Sequence, residues 1–203
     1  MKPINTIYII FLISLLISSC KQSNEPGQYD SSLGILPLKT GNTWQYSYQT
    51  LDSGGHAVDT ASVIMSVVRF DSIGSFKGYI IRGFYFWFIN PVVFANRTDG
   101  LYTANMPPFI SDPAPPPVIE RTIAYPTFSG DTLTYSGYLL KTRSVNQKIT
   151  VKAGYFTCIV YDIIKDNRNL GEIWMTPNIG IIKSRQQVGL ATEVHELQTY
   201  KLY

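Results

Sequence analysis

The stretch Trp44-Gln45-Tyr46-Ser47-Tyr48-Gln49-Thr50 decides the fold class. In an extended chain successive side chains leave opposite faces. Trp44, Tyr46, Tyr48 and Thr50 then share one side and Gln45, Ser47 and Gln49 the other, as in a strand with one face on a core and one in water. The same period of two returns over 58–70, where Ala61, Val63, Met65 and Val67 alternate with Thr60, Ser62 and Ser66. Between them, Ser53-Gly54-Gly55 is a turn signal.

Further strands are expected at 78–90, 92–97, 101–105, 119–125, 132–140, 143–152, 155–165, 171–176, 179–188 and 192–202. Thr98-Asp99-Gly100 marks a hairpin between two of them, and Ala153-Gly154 a tight turn. Residues Asp166 to Leu170 read as another turn. Met106 to Val118 carries Pro107, Pro108, Pro113, Pro115, Pro116 and Pro117, so it suits neither a helix nor a central strand and reads as an extended, polyproline-like surface loop. Fourteen Tyr, ten Phe and three Trp, with abundant Val, Ile and Thr, favour strands throughout. No helical period is found past the first thirty residues. The expectation is an all-β single domain over 33–203: an antiparallel meander of about eleven short strands forming a curved sheet or partly closed barrel.

The first residues have a different character. Met1-Lys2 precedes an apolar run from Ile7 to Ile17, broken by Tyr8 and Ser14. This run is short of the roughly twenty residues that span a bilayer and fits the apolar core of a signal peptide. It ends in Ile17-Ser18-Ser19-Cys20, which resembles the lipobox of bacterial lipoproteins. That resemblance implies a signal peptide at 1–19, cleavage before Cys20, and fatty-acyl chains (palmitate among them) on Cys20 as a membrane anchor. Two or three chains hold firmly where one holds marginally. Lys21 to Ser32 is polar, with a single aromatic, Tyr29, and reads with Cys20 as a flexible tether over 20–32. Lys21 stands where inner-membrane retention signals place Asp, which favours the outer membrane. Whether the domain faces the periplasm or the cell surface stays open.

Past the signal the chain keeps sixteen Lys and Arg, all but Lys2, against fourteen Asp and Glu. Near-neutrality argues against a nucleic-acid partner and against electrostatic membrane binding beyond the lipid. After lipidation one thiol remains, Cys158, which alternates with Phe156 and Val160 and reads as a small buried hydrophobe.

Three short signatures extend the resemblance: Pro37-Leu38-Lys39-Thr40-Gly41-Asn42-Thr43-Trp44-Gln45-Tyr46, Val151-Lys152-Ala153-Gly154-Tyr155-Phe156-Thr157-Cys158 and Trp174-Met175-Thr176-Pro177-Asn178-Ile179-Gly180-Ile181-Ile182-Lys183. Together with the closing Glu196-Leu197-Gln198-Thr199-Tyr200 they resemble envelope lipoproteins with curved half-barrel domains, of the DUF3108-like and LolA/LolB-like kind. The resemblance implies a fold and no catalytic residues.

Candidate chemistry is sparse. His56 sits in a Gly-rich turn and is expected in solvent. His195, between Glu193 and Glu196, is expected as an exposed, ion-paired histidine sharing a face with Glu193. No metal site, cofactor loop or catalytic set is read. The most unusual run, Phe84-Tyr85-Phe86-Trp87-Phe88 with Phe94 beyond it, places aromatics on both strand faces. One face can pack on the core while the other lines a concave cavity for an apolar or amphipathic ligand, an acyl chain or a glycan. Asp59-Thr60-Ala61, Asp71-Ser72-Ile73 and Asp131-Thr132-Leu133 look like O-glycan acceptors, giving Thr60, Ser72 and Thr132 as candidate modification sites. The favoured function is therefore non-enzymatic ligand binding by an envelope lipoprotein. The alternatives are an interaction subunit with an envelope-protein partner and, least favoured, a hydrolase.

Overall fold

The structure, a computed structural model, describes residues 34–83, 93–105 and 116–203. Among them twelve strands form one sheet: β1 (Thr43–Leu51), β2 (Ala57–Ile73), β3 (Phe76–Arg82), β4 (Val93–Arg97), β5 (Gly100–Asn105), β6 (Val118–Ala124), β7 (Thr132–Tyr135), β8 (Tyr138–Val151), β9 (Gly154–Lys165), β10 (Arg168–Thr176), β11 (Gly180–Val188) and β12 (Ala191–Lys201). Every pairing is antiparallel, and the order across the sheet is β6-β5-β4-β3-β2-β1-β12-β11-β10-β9-β8-β7. The all-β, single-sheet expectation holds.

This order forces curvature. β6 and β7 are the two outermost strands, yet only residues 125–131 connect them. A flat sheet of twelve strands would hold them roughly 50 Å apart. Seven extended residues reach about 25 Å at most. The sheet therefore curls until its edges meet. The link is pinned on both sides: Tyr125 N–H donates to Asp99 O at 3.1 Å, Gly130 N–H to Thr142 O at 2.7 Å, and the Thr127 and Thr142 hydroxyls lie 2.8 Å apart. Tyr161 Oη on β9 donates to Ala124 O on β6 at 2.9 Å, closing the seam from the other half.

The turn expected over 71–77 shrinks to Gly74-Ser75, because Asp71 to Ile73 pair with Phe76 to Gly78 and β3 starts at Phe76; two further expected boundaries move, each because of a two-residue turn in the left-handed region. The strand expected over 132–140 is broken at Ser136-Gly137, with φ of 49° and 81°. The expected turn over 166–170 shrinks to Asp166-Asn167, with φ of 50° and 59°, so β10 starts at Arg168. Both positive φ values in sequence make the tight hairpin geometry that suits the twist of paired strands. The first of these turns moves the break between the strands expected at 132–140 and 143–152 back to 136–137, so β8 starts at Tyr138.

The inner face of the ring carries the core. Trp44, Tyr46, Met65, Tyr161, Ile173 and Leu197 are all essentially inaccessible to solvent. Trp44 Nε1 donates to Ile179 O at 2.6 Å and Tyr46 Oη to Ile181 O at 3.0 Å, so two large rings are buried without orphaning their polar atoms. Cys158 is buried as expected. Burial pushes its thiol up to about 11, and Thr176 Oγ1 lies 3.4 Å from its sulfur.

One end of the ring is filled by the segment that precedes β1. Leu36 O accepts from Asn96 Nδ2 on β4 at 2.7 Å, and Gly34 O accepts from Asn178 N–H in the β10–β11 turn at 3.3 Å. Gly41 N–H donates to Val67 O of β2 at 3.0 Å. The segment thus lies across the end of the barrel, with Ile35 and Leu36 fully buried beneath it. Gly180, at φ 97°, leaves room for it: a Cβ there would stand 2.7 Å from Leu36 Cδ1. This is the plugged end. The turns β1–β2, β7–β8, β9–β10 and β11–β12 lie at the other, open end. So do the described residues that flank 84–92 and 106–115, since β3 runs towards that end and β4 returns from it, as do β5 and β6.

Candidate functional site

At the open end three strands bring together a small set of polar groups. The β1–β2 register sets Tyr48 opposite Ala61 and Tyr46 opposite Val63; the β1–β12 register sets Tyr48 opposite His195 and Thr50 opposite Glu193. Alternation keeps these residues on one face. From Ser66 onward β2 is also paired to β3; among the described residues its first half, 57–65, is paired to β1 alone. A hollow of about 580 Å³ opens here, lined by Tyr48, Ala61, Ser62, Val63, Ile64, Glu193 and His195.

His195 is not the exposed, ion-paired histidine that its two flanking glutamates suggest. It is 5% exposed, its ring packs against that of Tyr48 with centroids 4.9 Å apart, and its Nδ1 lies 3.3 Å from Ser184 Oγ on β11. Burial holds the imidazole down to about 4, so it is neutral near pH 7. Glu196 points to the outer face, where it pairs with Lys183 at 2.6 Å. Glu193 does share the inner face, but its Oε1 accepts from Tyr48 Oη at 3.1 Å, and Thr50 Oγ1 donates to Tyr48 Oη at 2.8 Å. The result is a polar strip, Thr50–Tyr48–Glu193, beside the neutral His195–Ser184 pair, with Ala61 and Val63 facing it.

Chemically the strip offers a carboxylate, a phenol and a neutral imidazole to a polar group, and the facing side chains offer apolar surface to the rest of a molecule. It departs from a nucleophile–base–carboxylate relay in two respects. Ser184 is 3% exposed, and Glu193 orients Tyr48 rather than His195. Among the described residues no group of three His, Cys, Asp or Glu lies close enough to hold a metal ion.

The sequence-expected site residues fall elsewhere. Cys20 and the run Phe84, Tyr85, Phe86, Trp87 and Phe88 lie outside the described residues. Phe94, expected to line a cavity, is fully buried in the core opposite Tyr79 and borders no part of this hollow. Thr60 and Ser72 are exposed on β2 and Thr132 on β7, opposite Gln49, Lys77 and Lys141. His56 is in solvent, 3.5 Å from Asp52. Tyr48 and Ser184 escaped the sequence reading. The available signal was hairpin counting: back from the turn Gly189-Leu190, residue 184 falls opposite 195.

No protein-family model and no curated protein matches this chain. Similar solved structures include a protein assigned as exported, with a YmcC-like fold, from Bacteroides fragilis NCTC 9343. It is 14% identical, with a TM-score of 0.37, over 83% of this chain and 99% of that one. Another is a protein assigned as a lipoprotein from Parabacteroides distasonis ATCC 8503, 12% identical, with a TM-score of 0.41, over 83% of this chain and 98% of that one. Likenesses this distant carry no conclusion about what this chain does, and the DUF3108-like and LolA/LolB-like resemblance finds no matching family model.

Proposed function

We propose that this protein is a lipid-anchored domain of a bacterial cell envelope that holds an apolar or amphipathic small molecule at the open end of its barrel, without chemistry of its own. The hollow between β1, β2 and β12 carries this reading: about 580 Å³ in which the hydrogen-bonding strip Thr50–Tyr48–Glu193 meets the apolar Ala61 and Val63. Ligand sites are concave and mostly apolar, with few convergent polar groups. The anchor rests on the lipobox at Ile17-Ser18-Ser19-Cys20, and the outer membrane on Lys21 after it. The test is mass spectrometry of small molecules retained by the full chain purified from its own envelope, compared with the Ala61→Trp variant, whose indole fills the hollow. A co-purifying amphipath lost in the variant supports the reading; an empty protein, or a ligand kept by the variant, removes it.

A second reading, an interaction subunit of an envelope complex, is favoured by Val58 and Ile64, 64% and 62% exposed on the singly paired half of β2. Glycosylation at Thr60, Ser72 and Thr132 is supported by their exposure alone, and an intact mass equal to that of the unmodified chain would end it.

A further inference from the structure

We infer that the plugged end of the barrel seats on an anionic bilayer surface, so that the domain stands on the membrane with its open end turned away. The inference rests on the lipid-anchor reading, because residues 1–33 join the domain at Gly34, which is buried at this end and bonded to Asn178. The chain that carries Cys20 thus enters the described domain at the plugged end.

The side chains there suit a bilayer interface. A groove of about 720 Å³ is lined by Leu38, Phe70, Tyr79 and Tyr203, with Lys39 and Lys77 on its walls. Phe70 and Tyr203 are 57% and 61% exposed, and Phe70 stands edge-on to Tyr79 with centroids 5.2 Å apart. Lys152, in the β8–β9 turn, and Lys201, at the end of β12, lie at the same end; Lys201 Nζ sits 4.6 Å from the centre of the Tyr203 ring. Among the described residues none of these four exposed lysines has a carboxylate within salt-bridge distance, whereas Arg69 and Arg121 are taken up by Asp71 and Asp99. At the open end Asp52, Asp166 and Glu193 lie in or beside the turns, with Lys165 and Arg168 flanking Asp166, so charges of both signs meet there. Net charge does not record that four lysines without carboxylate partners share the plugged end, which is why near-neutrality pointed against an electrostatic contact. Aromatic rings and lysines with long apolar stems partition to the interface, with the ring in the headgroup layer and the ammonium beside phosphate. A lysine near an anionic surface tightens adhesion roughly five-fold.

The experiment reconstitutes the full chain, with its native N-terminal segment, into vesicles of phosphatidylcholine alone or mixed with phosphatidylglycerol. Flotation reports the anchor, and amine acylation mapped by peptide mass spectrometry reports the seating. On mixed vesicles Lys39, Lys77, Lys152 and Lys201 lose labelling by roughly three-fold or more, while Lys165 at the open end keeps it. On phosphatidylcholine alone the protection weakens, and the Lys39→Glu/Lys77→Glu variant restores labelling of Lys152 and Lys201 while still floating. Equal labelling at both ends in protein that floats on the mixed vesicles overturns the seating and leaves the anchor standing. Protein that does not float overturns the anchor and the seating with it.

Discussion

At the plugged end Ile35 and Leu36 lie fully buried across the ring, tied down through Asn96 and Asn178. At the open end Tyr48, Glu193 and His195 border a hollow, and their hydrogen bonds run to one another and to Ser184 and Thr50. Both ends are built on the same strands: β1 begins beside the plug and finishes beside the hollow, and β12 runs the other way. The plug supplies apolar burial that a ring alone lacks at its rim. With one end sealed in this way, the other can carry groups chosen for contact with a second molecule. A barrel can thus separate what makes it stable from what makes it receptive along the length of single strands.

The largest expected effect tests the sealed end. Replacing both Ile35 and Leu36 by Ala removes two fully buried side chains and costs about 6 kcal/mol, a large part of the stability of an ordinary domain. Urea unfolding should show a much lower midpoint, whereas Ala61→Trp at the open end should shift it by less than about 1 kcal/mol. Equal costs at the two sites would erase the distinction between the ends.

Acid tests the open end. His195 is held near 4 in the fold, below its ordinary value of about 6.5, so the unfolded chain takes up its proton first. Stability from this residue is complete above pH 6.5 and is lost as pH falls towards 4, by up to about 3 kcal/mol. Denaturation across that range should show the loss, and His195→Gln should flatten that part of the profile relative to the parent chain. A profile unchanged by the substitution would mean that the imidazole is solvated. The smallest effect sharpens the picture of the strip: Tyr48→Phe removes the hydroxyl shared by Glu193 and Thr50 and should cost about 1 kcal/mol in the same assay.

Most strands were legible because one face of each is wet. Trp44 to Thr50 alternates cleanly, and the structure turns its aromatics inward as the pattern demands. Ser136-Gly137 was hidden by the flanking residues, which continue a strand-like composition on both sides of a two-residue turn. The order of strands around the ring was not legible, since β1 beside β12 is a pairing across the whole domain. The plug is equally silent: Leu36 finds its partner Asn96 sixty residues on, and no local period records that. His195 misled because its neighbours in sequence, Glu193 and Glu196, look like a solvated face. Alternation sends Glu196 outward to Lys183, while Glu193 is satisfied by a tyrosine from another strand. Partners carried by other strands decided the site, so composition around His195 was a poor guide to it.

The neighbouring placement of the first and last strands has a consequence during synthesis. Nine residues of β1 pair with β12, which comprises the eleven residues from Ala191 to Lys201. A polypeptide released before Ala191 would leave the hydrogen-bonding rims of both β1 and β11 bare, and bare rims recruit other chains. Shortened products of this gene should therefore clump rather than linger as soluble fragments, and the closing strand serves as the latch that makes a finished molecule inert towards its siblings.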